Sequence, residues 1–309
     1  MSRTRGILAG IGYATIFGFS FLVTKTTLGV LSPLQLLAAR FMLAALAMSV
    51  LAGLGIIRLS YRGKNLWLLG LMCLFQPVAY FLFETYGVAN AATSVAGIIL
   101  GALPACVALM GALILHERTT RMQSIGLALS VLGVVLVVTW KSQGDTMGET
   151  RPIGVLLLTA SMLSAVLFNI ASRKAAAAFS PAERTFAMMW SGALSFGAAA
   201  LIESLGKSEQ AHAGGLTSGM LMEALPGVLY LGLLSSVVAF FLINYSLTHL
   251  KASQSAVFAN MTTVLTVAAG VVLRGEQFEP VQALGTILII GGIGIANSSG
   301  ARASASSGS

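Results

Sequence analysis

Residues 86–118 read YGVANAATSVAGIILGALPACVALMGALILHER, and residues 245–277 read YSLTHLKASQSAVFANMTTVLTVAAGVVLRGEQ. They open an ungapped alignment, at a constant offset of 159, that runs on to residues 138 and 297. The matches fall on Tyr86/Tyr245, Ser94/Ser253, Gly111/Gly270, Glu117/Glu276, Gln123/Gln282, Gly126/Gly285 and Gly133/Gly292. A second echo, at offset 148, pairs Ser32-Pro33 with Ser180-Pro181. Both stretches are almost wholly apolar, so the chain reads as two tandem copies of one membrane module. Internal repeats of this kind in a polytopic membrane protein imply transport, with the cargo held between the repeats.

Composition fixes the class. At 309 residues, 56% hydrophobic and 9% charged, the chain is too apolar for a soluble domain. A membrane span takes about 20 apolar residues. Breaking the sequence at its charged and turn-rich points gives ten spans: 6–24, 33–57, 65–86, 91–115, 122–140, 153–172, 182–202, 226–248, 252–273 and 280–297. They are numbered spans 1 to 10 below. The expected fold is therefore all-α and integral to the membrane: ten transmembrane helices in two repeats of five, over 6–139 and 153–297. An odd number of spans per repeat forces the two copies into inverted topology. The long connection lies at 203–222, and the small, polar tail 298–309 is expected to be disordered.

The net charge of +8 invites a nucleic-acid reading, which its distribution rejects. With the N-terminus in the cytoplasm, Arg3, Arg5, Arg58, Arg62, Lys64, Arg118, Arg121, Arg173, Lys174, Arg184, Lys251 and Arg302 lie inside. Lys25, Lys141, Arg151, Lys207 and Arg274 lie outside, and Arg40 lies within span 2. That bias places both termini in the cytoplasm, in a cell inner membrane. The first apolar run continues through Val23 without a clear cleavage site and reads as a retained helix, not a secretory signal. Cys73 and Cys106 sit in apolar spans without CxxC spacing and read as packing residues.

Helix starts are legible. Ser32-Pro33-Leu34-Gln35 and Ser180-Pro181-Ala182-Glu183 each set Ser at the N-cap, Pro at the first helical position and Gln or Glu at the third. Thr120 with Gln123 repeats the device for span 5, and Gln282 follows Pro280 in span 10. Glu117 and Glu276 end spans 4 and 9 symmetrically and read as caps of the helix that follows. Gly6/Gly10, Gly97/Gly101, Gly126/Gly133 and Gly285/Gly292 suit close helix packing in a bilayer. Trp67 and Trp140 fall where interfacial anchors belong. Pro77 and Pro104 interrupt spans 3 and 4, either as plain kinks or as borders of a pathway.

Chemistry must come from polar groups inside the spans. Tyr13, Phe17, Ser20 and Thr24 share one face of span 1 at helical spacing. Gln76, Tyr80 and Phe83 mark span 3 with Glu84 alongside; Ser161, Ser164, Phe168 and Asn169 mark span 6. Tyr230, Phe241, Asn244 and Tyr245 mark span 8, and span 9 is polar nearly all round, including Asn260. A single serine or threonine of this set reads as helix–helix glue as readily as a ligand contact. Taken together, the stripes would line an apolar cavity with a few fixed polar contacts. Phe17, Tyr80, Phe168 and Phe241 are expected as its walls, and Ser164, Asn169, Asn244 and Asn260 as its hydrogen-bonding groups. Glu84 has three readings: a proton carrier, a contact for a substrate amine, or a carboxylate near the headgroups or paired with Arg40.

Enzyme classes find no support. The one Asp, Asp145, lies in a loop, and His116, His212 and His249 lie at helix ends or in loops. There is no HExxH, no GxSxG, no ligand cluster spaced for a metal and no Walker motif, so neither cofactor nor direct ATP drive is expected.

Ser32-Pro33-Leu34-Gln35 with Arg40-Phe41 resembles the start of the second helix in the EamA branch of the drug/metabolite transporter superfamily. So does the run from Tyr86 through Ala89, Ala92, Ala96 and Pro104 to Leu115-His116-Glu117-Arg118, with Gln123 and Gly126. Ala252, Ala256, Glu276, Gln282 and Gly285 repeat it in the second half. The resemblance implies ten helices, both termini inside, and a central cavity between spans 1, 3, 4, 6, 8 and 9. It also implies export of amino acids or other small metabolites, as in YddG-type exporters. Two departures, Thr262-Thr263 in span 9 and Phe17 in place of a common Trp, fall where cargo would be read. The alternative cargo is an organic cation or drug, held by cation–π contacts.

Overall fold

The computed structural model describes residues 2–103, 150–206, 218–249 and 252–275 continuously, and scattered residues between 106 and 136 and between 279 and 295. Six helices are long and apolar enough to cross a membrane: Thr4–Thr27, Pro33–Gly53, Trp67–Ala89, Pro152–Ala175, Pro181–Leu205 and Met222–Ser246. They stand at spans 1, 2, 3, 6, 7 and 8. Span 4 is helical over Thr93–Gly101 and span 9 over Ala252–Arg274. A shorter apolar helix, Ala283–Gly292, falls within span 10. Every described element is helical, as backbone in lipid requires, because each N–H and C=O must find its partner inside the segment. Pro104, Glu117, the Thr120/Gln123 cap, Trp140, the 207–217 stretch of the long connection, Glu276, Gln282 and the tail lie outside the described residues.

Local chemistry sets the helix ends. The Ser32 hydroxyl accepts from the Gln35 N–H at 3.3 Å, and the Gln35 side chain accepts from the Ser32 N–H at 2.9 Å. Ser180 and Glu183 exchange the same two bonds, at 3.2 and 2.7 Å. Both capping boxes thus close two amides that lipid would leave bare. Span 2 stops where Gly55 takes φ +71, letting the Ile56 N–H reach back to the Leu51 carbonyl at 3.0 Å. Gly275, with φ +66, follows the end of span 9 in the same way.

Two spans depart from regular α-helix along their length. Span 3 is kinked within Leu74–Ala79, where Gln76 leaves helical space at φ −150, ψ 117. In span 8 the π-helical stretch is Tyr230–Val238. The repeat offset of 159 carries Leu74–Ala79 onto 233–238, so the kink of span 3 and the π-helical stretch of span 8 fall at equivalent places. π-helical turns release carbonyls and amides from the regular ladder and concentrate at functional sites.

Contacts between the halves come in matched pairs. Span 1 packs on spans 8 and 9, as span 6 packs on spans 3 and 4; span 2 packs on span 8 as span 7 packs on span 3. Spans 2 and 7 pack on each other, and so do spans 4 and 9. The largest core cluster joins spans 2, 3, 6, 7 and 8 around Phe41, Phe81, Phe168, Phe196 and Phe240. Phe81 and Phe240, equivalent by the repeat offset, meet edge to face at 5.8 Å, a contact worth about 1 kcal/mol beyond area burial.

The two ends of the bundle are tied differently. At one end Glu183 of span 7 accepts from the Ser60 N–H at 2.8 Å and from Lys64 Nζ at 2.9 and 3.0 Å. Tyr61 donates to the Glu183 carbonyl at 2.7 Å, and burial beside that carboxylate pushes its phenol above the ordinary range. At the other end Lys25 Nζ donates to the Val88 and Ala91 carbonyls at 3.1 and 2.8 Å, neutralising the C-terminal end of span 3. The Arg151 N–H donates to the Asn90 carbonyl at 2.8 Å, bringing span 6 onto the same corner.

Candidate functional site

Arg40 sits two turns into span 2 and is 2% exposed. Its Nε donates to Ser236 Oγ at 2.7 Å and its Nη2 to Ser235 Oγ at 2.8 Å, both in the π-helical stretch of span 8. The guanidinium lies over the Phe81 ring at 4.2 Å, just beyond the break in span 3. Arg40 therefore bridges the kinked span 3 and the π-helical stretch of span 8. Gln76, the extended residue of span 3, is the repeat equivalent of Ser235 and is itself buried. Glu84 follows one turn after Tyr80, is 2% exposed, and accepts from Thr85 Oγ1 at 3.2 Å. The charges of Arg40 and Glu84 act on each other and on Tyr80. Among the described residues, these are polar groups that gather around the kink of span 3 and the π-helical stretch of span 8.

The expected site residues divide. Phe17 and Tyr80 are half-buried beside this cluster: Phe17 meets Phe240 at 5.3 Å and Tyr80 meets Phe81 at 4.8 Å. Phe168 is fully buried core, 6.4 Å from Phe240. Ser164 and Asn169 each bond back to their own helix, to the Ala160 and Ala165 carbonyls. For Asn260 the backbone alone is described, within the span 9 helix.

Two expected residues stand elsewhere than the sequence suggests. Phe241 is 38% exposed and stacks on Tyr245 on the outer surface; its neighbour Phe240 is the one that meets Phe17, Phe81 and Phe168. A π-helical stretch ends at Val238, and that shifts the register of the residues after it relative to regular helical spacing. Asn244 is fully buried with its amide committed to packing: Oδ1 accepts from Ser172, and Nδ2 donates to Thr185. It joins spans 6, 7 and 8.

Arg40, Ser235, Ser236 and Arg184 were not among the expected site residues, and Gln76 stood only in the polar stripe of span 3. The sequence signal for Arg40 is an arginine inside an apolar span; for Ser235-Ser236 it is the offset that sets them opposite Gln76-Pro77. Arg184, fully buried, donates from Nη1 to Ser172 and from Nη2 to the Asn244 carbonyl and Thr248 Oγ1. It caps the ends of spans 6 and 8 and completes the joint around Asn244. Among the described residues no group of three or more His, Cys, Asp or Glu side chains comes together.

A model of the EamA-like transporter family matches residues 4–139 and 152–298. An uncharacterized transporter of Bacillus subtilis, YcxC, is 32% identical over 295 residues, covering 94% of this chain and 92% of its own. A probable amino-acid metabolite efflux pump of Escherichia coli is 26% identical over 297 residues, covering 95% and 94% of the two chains. A solved crystal structure with 19% identity superposes with a TM-score of 0.62 over 95% of this chain and 96% of that one, a likeness of fold alone.

Proposed function

The chain belongs to the EamA-like transporter family of the drug/metabolite transporter superfamily, and from that premise we propose that it exports amino acids or related small metabolites across a cell inner membrane. It is a multi-pass membrane transporter and not an enzyme. The observation that carries the proposal is the kink of span 3 and the π-helical stretch of span 8 at repeat-equivalent places, with Arg40 between them and Glu84, Tyr80 and Gln76 beside it. A discontinuous helix between repeats is where transporters hold their cargo, and π-helical turns concentrate at functional sites. The matched contacts between the halves support ten spans in two inverted repeats, 6–139 and 153–297, that rock against each other in alternating access without ATP. The surplus of Arg and Lys on one side supports cytoplasmic termini. The proposed lining is Phe17, Tyr80, Glu84, Phe168 and Phe240, with Ser164, Asn169 and Asn260 as its further hydrogen-bonding groups.

Proteoliposome flux tests this reading. Purified protein is reconstituted and offered radiolabelled amino acids, nucleosides and organic cations, with and without an imposed pH difference. Saturable counterflow of at least one amino acid is expected. Flux of organic cations alone would replace the proposed cargo with the cation reading that Glu84 and the surrounding rings also suit.

A further inference from the structure

The tandem copies provide an internal control on which polar groups the fold requires. At offset 148 the counterpart of Arg40 is Met188, and at offset 159 the counterpart of Glu84 is Ile243. Met188 is fully buried in the core that spans 2 and 7 share, and Ile243 packs against that core. The module therefore closes with apolar side chains at both places. Two opposite charges occur in one copy only, at positions where the architecture is content with a thioether and an alkyl group.

Their hydrogen bonds are also incomplete. Arg40 spends Nε and Nη2 on neutral hydroxyls, and Nη1 makes no hydrogen bond to the described residues. Glu84 receives one bond, at Oε2, from Thr85. Among the described residues no ion pair within 4.0 Å joins the two, although both are 2% exposed. Buried opposite charges normally meet, because separation leaves each without compensation for lost hydration. Here the Ser235/Ser236 hydroxyls and the Phe81 face hold the guanidinium off the carboxylate.

We infer that Arg40 and Glu84 are the two poles of a receptor for a zwitterion, Arg40 taking the α-carboxylate and Glu84 the α-ammonium of one amino acid. The ligand completes the valences the protein leaves open and neutralises both charges together. The groups recognised are those all α-amino acids share, so the side chain is left to the rings of Phe17, Tyr80 and Phe240. Selectivity among amino acids is then graded by ring contact, while the demand for both charged ends is strict. The inference rests on the amino-acid reading above.

The test uses reconstituted full-length protein and alanine, leucine and phenylalanine, each with its decarboxylated amine and its deaminated acid as competitors. In the unaltered protein each one-charge analogue should compete at least tenfold more weakly than its parent amino acid. Glu84→Gln should raise the KM for the amino acid at least tenfold while bringing the deaminated acid level with it. Arg40→Gln should do the same for the amine; Arg40→Lys, which keeps the charge, should retain discrimination against the amine if Arg40→Gln does not fold. If no amino acid is carried, the cargo reading falls and takes the inference with it. If amino acids are carried but either analogue competes as well as its parent, or Glu84→Gln weakens all three compounds alike, the two-pole receptor is wrong and the cargo reading stands.

Discussion

Asn244 binds Ser172 of span 6 and Thr185 of span 7, while Asn169 returns its N–H to its own helix. Asn244→Leu should therefore lower the melting temperature in detergent, by a loss of about 1–3 kcal/mol for buried partners left unpaired. Asn169→Leu should stay within about 0.5 kcal/mol of the parent. Thermal unfolding followed by intrinsic fluorescence separates the two. Arg184→Lys should also melt earlier than the parent, because one ammonium cannot reproduce a fork that reaches Ser172 and Thr248 at once. Both asparagines fall on polar stripes, and spacing alone does not tell a joint from a lining. What distinguishes them is the set of partners contributed by other spans, which sequence periodicity does not encode. Glu84 and Tyr80 were legible as candidates because a carboxylate and a phenol in an apolar run are conspicuous. Arg40 was equally conspicuous, but its partners Ser235 and Ser236 lie some two hundred positions away.

Glycine pairs at helical spacing were readable as contact faces, and span 4 bears this out. A Cβ at Gly97 would stand 2.8 Å from Thr266 Cγ2, and one at Gly101 2.8 Å from Thr263 Oγ1. Gly10 likewise leaves room for the Phe258 ring. Gly101→Leu should push spans 4 and 9 apart and lower stability by about 1–3 kcal/mol. Gly70→Leu is the control, since nothing lies within 4 Å of that position. Comparative melting of the two variants checks the expectation. The starts of spans 2 and 7 were also readable, because Ser-Pro followed by Gln or Glu is a complete local instruction. The break in span 3 was announced by Pro77. The π-helical stretch of span 8 was not: Tyr230–Val238 contains no proline, and a serine pair is a weak signal on its own. Only the register of the repeat, laid over the break in span 3, points to it.

At the scale of the whole molecule, the Ser60–Lys64 loop and the start of span 7 share one end, and Lys25, Asn90 and Arg151 share the other. Arg58, Arg62 and Lys64 belong to the first end, so that end should face the cytoplasm. A cysteine placed at Ser208 should react with an impermeant maleimide in intact cells, and one at Ser60 should react only after the membrane is opened; the reverse pattern would invert the orientation. An all-helical membrane fold with paired halves was foreseeable from the repeat, whereas the route by which each half buries the other was not, since it depends on which faces meet. That route has a consequence for biogenesis. Arg40 and Ser235 are 195 residues apart. At roughly 5–20 residues per second, synthesis takes about 10–40 s to deliver the hydroxyls that receive the guanidinium. Throughout that interval span 2 carries a cation in the membrane without the hydroxyls that later bind it, where an arginine at the bilayer centre costs about 3 kcal/mol. The nascent first half must therefore wait beside the translocon or let Arg40 reach toward the headgroups, and its final placement is a late step in assembly.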